Sequence, residues 1–207
     1  MVKLDEKTWM GILRSFSKEH PEWAPFARTL PFEYAVDLAR EMANTDIKSP
    51  TIDKIFVPFS DLRPSDIKAV ILGQDPYPDI EMAIGRAFAI PANKTPTISL
   101  RNIIHQCGSN VDCSLSKWID QGVFLINASP VLTDTSMKET QAWTFFTAKL
   151  IKFISEQCDD VTFIFMGKLA QTYCKYIGTN SRARVVNLPH PAARGGQFAL
   201  ASPFDQI

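Results

Sequence analysis

No run in the chain approaches the ~18 consecutive apolar residues that a membrane-spanning helix needs, so no membrane partner is expected. The opening MVKLDEKTWM carries early acids and no apolar stretch, so no secretory leader is expected. An excess of one charge is also missing: 22 basic residues balance 22 acidic ones. That balance excludes a protein coating nucleic acid through bulk charge, although a local basic rim stays open. The four cysteines (Cys107, Cys113, Cys158, Cys174) include no CxxC pair. The interval between Cys158 and Cys174 leaves an iron–sulfur arrangement open, but reduced thiols in an intracellular protein are the plainer reading. Neither a GxGxxG nor a Walker-type phosphate loop occurs, which sets aside a flavodoxin-like nucleotide binder. With no repeat, low-complexity tract or linker, one domain over residues 1–207 is expected, residues 1–50 being its helical N-terminal part.

What is present is ordinary globular composition, 45% hydrophobic and 21% charged over 207 residues. Residues 6–19 and 32–44 read as helices, the second with Phe32, Ala35, Val36, Ala39 and Met42 near a 3.6-residue period. Pro21, Pro25 and Pro31 punctuate the stretch between them. Four nearly continuous apolar segments then suit strands buried on both faces: IKAVILG (67–73), VFLINA (123–128), VTFIFMG (161–167) and ARVVNL (183–188). Helical patterns separate them, clearest at 140–157, where Trp143, Phe146, Thr147, Leu150, Ile151 and Ile154 share a face, and again at 168–177. The alternation predicts an α/β fold, a doubly wound α/β/α sandwich with a central four-stranded, mainly parallel sheet. In such sheets ligands collect beyond the carboxyl ends of the strands.

The residues that follow those strands carry chemistry. The first strand runs into Gln74, Asp75, Pro76, Tyr77 and Pro78, and the second ends in Asn127. Gly167 and Lys168 open a helix after the third, and His190 lies between two prolines after the fourth. Each residue has a plain alternative. Asp75 could cap a turn, Asn127 could satisfy a loop, and a single histidine is more often structural. Phe88 in GRAFAI would ordinarily be core, and Ser99 at the start of the helix after KTPTI would ordinarily be a cap. Lys168 and Arg194 are solvated if nothing anionic binds beside them. A carboxamide in an apolar strand is the hardest to dismiss, because an unsatisfied buried polar group costs ~1–3 kcal/mol. Taken together, an acid, a carboxamide and a histidine at neighbouring strand ends read as a site whose substrate the pattern leaves open.

From about residue 55 to 198 the chain resembles the family 1 uracil-DNA glycosylases, through six motifs in order: GQDPY, GRAFAI, TPTISLRNI, QGVFLINASPVLT, FIFMGKLAQ and LPHPAAR. The resemblance implies excision of uracil from DNA, single- or double-stranded, with no metal or other cofactor. It implies that Asp75 positions the attacking water and stabilises a cation-like sugar, and that His190 donates to uracil O2. Phe88 would stack on the flipped base, Asn127 would pair with its N3–H and O4, Tyr77 would stand against C5, and Gln74 would lend a backbone N–H. Ser99, Gly167 and Lys168 would hold phosphates, and Arg194 would stand where the family places an intercalating leucine. Pro78 departs from the histidine that often follows GQDPY, and HPAAR lacks the serines of HPSPLS. HPAAR and DPYP together resemble poxvirus glycosylases that also serve as processivity subunits. The alternative is therefore a catalytically weak, glycosylase-fold DNA-binding or processivity subunit. The resemblance further implies a monomer that meets a proteinaceous inhibitor or a replication partner. It would act inside the cell, in the cytoplasm of a prokaryote or in the nucleus or host cell of a eukaryotic or viral source. The chain stops about a dozen residues after Arg194, so the family's C-terminal helix is expected to be missing.

Overall fold

A computed structural model describes residues 2–43, 45–107, 112–133, 136–179 and 181–201, the side chains of 136–141 excepted. Seven strands are found among these: β1 (Val2–Lys3), β2 (Asp46–Ser49), β3 (Ala69–Gly73), β4 (Val123–Asn127), β5 (Leu132–Thr133), β6 (Thr162–Met166) and β7 (Arg184–Leu188). The longer helices are α1 (Glu6–Glu19), α2 (Phe32–Met42), α3 (Ile98–Cys107) and α4 (Ser136–Gln157). The four expected strands form one sheet in the order β4-β3-β6-β7, with every pair parallel. The chain passes from β3 outward to β4 and then back across to β6, so the topological switch point lies between β3 and β6.

Alternation along each strand divides the core in two. Val70, Leu72, Phe124, Ile126, Phe163 and Phe165 point into a core shared with α1, α2 and α4. Ala69, Ile71, Leu125, Ile164, Met166, Val186 and Leu188 point to the other face, under Leu100 and Ile103 of α3. The first face is packed with rings. Phe26 lies within 5.2–6.3 Å (ring centroids) of Phe16, Trp23, Phe59, Phe146 and Phe153. The N-terminal residues contribute Trp9, Phe16, Trp23 and Phe26 to this core, which ties them to the sheet.

Several expectations are adjusted. The α1 helix spans the expected residues, with Asp5 as its cap accepting the Thr8 N–H at 2.7 Å. The α2 helix ends at Met42, and Asn44 lies outside the described residues, as does the 202–207 end of the expected domain. Residues 1–50 are not helical throughout. β1 and β2 join β5 in a small antiparallel sheet of order β1-β2-β5. Strands of two to four residues such as DIKS are too short to show a period, and the partner strand β5 is remote in sequence. The pattern at 168–177 resolves into a short α-helix, Lys168–Gln171, followed by a 3-10 helix, Thr172–Tyr176. A four-residue helix, Gln197–Leu200, follows Arg194.

Candidate active site

β3 and β4 end side by side, with Gly73 paired to Asn127 in the parallel ladder. Beyond them the strands stay joined, Ala128 N–H donating to Gly73 O and Ser129 N–H to Gln74 O, both at 2.9 Å. Gly73 has to lack a side chain: a Cβ there would collide with Asn127 Oδ1 and come within 3.0 Å of Ala87 Cβ. The absent methyl leaves room for the Asn127 carboxamide to turn along the strand end. Asn127 is only 4% exposed, and its side chain has no hydrogen-bond partner among the described residues. It lines a cavity of about 180 Å³. A buried polar group left open toward a cavity is the arrangement expected of a group that waits for a ligand.

The cavity also takes in Gln74, Asp75, Tyr77, Phe88, Ser99 and His190, so seven residues singled out in the sequence converge on one space. Burial pushes the Asp75 carboxyl above the ordinary carboxylate value, against the opposing hydrogen bond from Gln74 Nε2 at 3.2 Å. Tyr77 is fixed at both ends. Ser49 Oγ donates to its carbonyl at 2.5 Å, and its own hydroxyl donates to Phe88 O at 2.8 Å and lies 3.0 Å from Thr97 Oγ1. Phe88 sits at φ 64°, a left-handed conformation that is unusual for an aromatic residue and costs on the order of 1–3 kcal/mol. Its ring is tilted 50° to the imidazole of His190, with centroids 6.2 Å apart.

His190 closes the opposite side. Ala192 N–H donates to its Nδ1 at 3.1 Å, and surrounding protein lowers its pKa below the ordinary histidine value through desolvation. With Nδ1 an acceptor, the neutral ring carries its proton on Nε2 and is a hydrogen-bond donor there. Gly167 contributes close approach to this ring. It has φ 96°, and a Cβ would come within 3.1 Å of His190 Cβ and 3.3 Å of Cδ2. Its N–H is already engaged by Leu188 O at 2.9 Å. Asn102 Nδ2 donates to Pro191 O at 2.7 Å, so α3 is fastened to the histidine loop.

Three expected residues stand outside the cavity lining: Gly167, which packs against the His190 ring instead, Lys168 and Arg194. Lys168 is exposed just beyond Gly167, and Arg194 is exposed in the short 3-10 turn Arg194–Gly196, whose two glycines both have positive φ. Sequence reading missed several residues. Arg86 lines the cavity and is clamped to Asp61, its Nε 2.7 Å from Oδ2 and its Nη2 2.5 Å from Oδ1. Ser49, Asn102 and Thr97 hold the site residues from behind. Arg86 lies inside GRAFAI and could have been suspected as a charge in an apolar motif; Ser49 and Asn102 offered no such signal.

Among the described residues no group of three or more His, Cys, Asp or Glu side chains is placed to hold a metal. All four cysteines are free thiols. Burial pushes Cys107 up to about 12 and Cys158 up to about 11, and the Cys158 thiol donates to Pro64 O at 3.0 Å. An acid with a raised pKa, a neutral histidine donor, an aromatic face and an open carboxamide around one small cavity suit hydrolysis at a flat heterocycle carrying amide groups.

Comparison with known proteins gives the same direction. The family model described as the uracil DNA glycosylase superfamily matches residues 59–203. A uracil-DNA glycosylase of Exiguobacterium sibiricum is 32% identical over 169 residues, 76% of either chain. One of Aliarcobacter butzleri is 32% identical over 194 residues, 89% of this chain and 85% of the relative. Among solved structures, mimivirus uracil-DNA glycosylase superposes with a TM-score of 0.73 at 28% identity, over 83% of this chain and 68% of its own. A mimivirus UNG variant in complex with UGI gives 0.74 at 28% identity, covering 83% and 70%. The UNG of Nitratifractor salsuginis, 21% identical, gives 0.63 over 100% of this chain and 99% of its own, a likeness of fold.

Proposed function

The chain belongs to the uracil DNA glycosylase superfamily, and from that premise we propose how its cavity removes uracil from DNA. The protein is a uracil-DNA glycosylase that hydrolyses the N-glycosidic bond and leaves an abasic site for base excision repair. A base stacked in a duplex is out of reach, so the nucleotide is flipped into the cavity at a cost of a few kcal/mol. Phe88 stacks on the flipped base, since every base presents a π face. The open carboxamide of Asn127 accepts from N3–H and donates to O4. Cytosine presents the opposite pattern and would leave both partners unpaired. Tyr77, pinned at its carbonyl and its hydroxyl, occupies the space that a thymine methyl would need.

As the bond to the sugar breaks, negative charge gathers on the uracil and positive charge on the sugar. The Nε2–H of His190 donates to uracil O2 as that charge develops, with the Gln74 backbone N–H nearby. Asp75, ionised, orients water toward C1′ and offsets the sugar cation. Ser99 and Lys168 meet phosphates flanking the flipped nucleotide. Because the Gly167 N–H is engaged by Leu188, we assign Gly167 the further task of admitting His190 closely. Arg194 fills the gap left in the stack with its guanidinium plane.

The finer assignment is to family 1, on GQDPY and the histidine loop, with DPYP and HPAAR as poxvirus-like variants. We read residues 1–207 as one domain acting inside the cell as a monomer. A proteinaceous inhibitor would dock over the same DNA-facing mouth. One observation carries the functional reading: the buried, unpartnered Asn127 carboxamide facing Asp75 and His190 across the cavity. Incubation with a single-stranded oligonucleotide containing one uracil should yield an alkali-labile abasic site. Asn127→Asp should extend excision to cytosine. An inactive wild-type protein over a range of salt concentrations sinks the proposal.

A further inference from the structure

We propose that Thr97 is a positioning residue for base selectivity, acting through the hydroxyl of Tyr77 to hold the wall that faces uracil C5. This inference rests on the functional reading above. It starts from a hydrogen-bond chain whose direction is fixed. Phe88 O can only accept, so the single Tyr77 hydroxyl proton goes to it at 2.8 Å. The 3.0 Å contact between Tyr77 Oη and Thr97 Oγ1 must then be donated by Thr97. Thr97 Oγ1 in turn accepts the Leu100 N–H at 3.4 Å. Protons therefore point one way, from the first turn of α3 through Thr97 to Tyr77 and on to Phe88 O.

Three separate parts of the chain are joined by this route. Thr97 starts α3, its carbonyl accepting the Arg101 N–H at 2.8 Å, and Ser99 lies two residues on at the cavity edge. Tyr77 belongs to the loop after β3, and Phe88 holds its left-handed backbone at φ 64°. A backbone in that region relaxes unless its surroundings over-determine it. The Tyr77 hydroxyl on the Phe88 carbonyl is one such restraint. Thr97 holds that hydroxyl in the donating orientation, because the lone pair it occupies and the proton Tyr77 sends onward are set together. Ser49 Oγ, 2.5 Å from Tyr77 O, fixes the backbone end of the same residue. The ring at C5 thus has no free end. Burial pushes the Tyr77 phenol above its ordinary pKa, so it stays protonated and the chain keeps its direction.

Loss of the Thr97 hydroxyl should let the Tyr77 ring and the Phe88 platform shift, and uracil derivatives bulkier at C5 should be tolerated better. The experiment compares kcat/KM for single-stranded oligonucleotides carrying uracil or 5-fluorouracil, with thymine as the extreme. Thr97→Val keeps the side-chain shape and loses the donor. It should lower the uracil-to-5-fluorouracil ratio roughly fivefold, the scale of one net hydrogen bond. Thr97→Ser keeps the hydroxyl and should restore the ratio to within about twofold of wild type. In a Tyr77→Phe background the Thr97→Val change should have no further effect on the ratio, because the shared link is already gone. A Thr97→Val protein in which both substrates slow equally would show that Thr97 is only a helix cap and would overturn the inference. A wild-type protein that removes no uracil overturns the functional reading instead. If Thr97→Val fails to fold, Tyr77→Phe carries the test: an unchanged ratio there overturns the inference as well.

Discussion

The two faces of the parallel sheet are packed by different means. Beneath α1, α2 and α4 the buried cluster contains Trp9, Trp23, Trp143, Phe16, Phe26, Phe59, Phe146, Phe163 and Phe165 among others. On the face under α3, Phe198 is the one fully buried aromatic of its cluster among the described residues, and aliphatic side chains fill the rest, with the small Ala87 and Ala89 among them. The aromatic face gains stability from large rings that fit only together. The other face gives up that bulk to bring backbone close to side chain, as at Gly73 against Asn127 and Gly167 against His190. The left-handed Phe88 and the open Asn127 carboxamide lie on this side. Stability and chemistry thus sit on opposite sides of four strands, and substitutions should separate them.

The largest effect is expected at Asp75. Asp75→Asn should lower kcat for uracil excision by roughly 10²- to 10⁴-fold, the usual range for a positioned acid–base group, in a single-turnover assay. The same change should raise the melting temperature. Burial holds the folded-state pKa of Asp75 above its unfolded value, so ionisation at neutral pH costs stability. That cost vanishes as the pH falls below the unfolded value, and asparagine avoids it at every pH. A lower melting temperature for Asp75→Asn would blur the division between the two faces.

Phe26→Ala tests the opposite side. Its ring is fully buried among five aromatic neighbours, and its loss should cost about 3–5 kcal/mol in urea denaturation. The folded fraction should retain its preference for uracil over cytosine and thymine.

A smaller effect is expected from pH. Asp75 works ionised and His190 works neutral, and burial raises the first pKa while lowering the second. Both groups therefore reach their working form as the pH rises from acid. The rate should climb with an acid limb lying above the ordinary aspartate range, and neither group should impose a loss on the alkaline side. A profile falling between pH 7 and 9 because of His190 would contradict the Nε2–H assignment.

The smallest effect concerns the exposed Arg194 turn. Arg194→Ala should lower excision from duplex DNA roughly five- to tenfold, and that from single strands by less, if the guanidinium fills the vacated stack. Equal losses on both substrates would make it an ordinary phosphate contact, which a change in salt dependence of about one charge would register.

Much of this is legible in the sequence. The four β-strands of the main sheet announce themselves as apolar runs because a sheet covered on both faces must be apolar on both. Asp75, Asn127 and His190 stand out because each ends or follows such a run. The small β1-β2-β5 sheet stayed hidden, its strands being two to four residues long and its pairing remote. The clamp of Arg86 on Asp61 was equally hidden, since 25 residues separate partners that only the fold brings to 2.5–2.7 Å. Gly167 was read as a phosphate contact, whereas its closeness to the His190 ring depends on two strand ends meeting in space.

The sequence by itself determined the α/β class, the order of strands along the chain and the chemical inventory at their ends, because periodicity and polar interruptions are local properties. Tertiary structure alone decided that these ends surround one cavity and that Asn127 is left without a partner. It also decided that Tyr77 is held by Ser49 and Thr97. Those features are distances and hydrogen-bond directions between segments far apart in sequence, and only the assembled open sheet and its switch point set them.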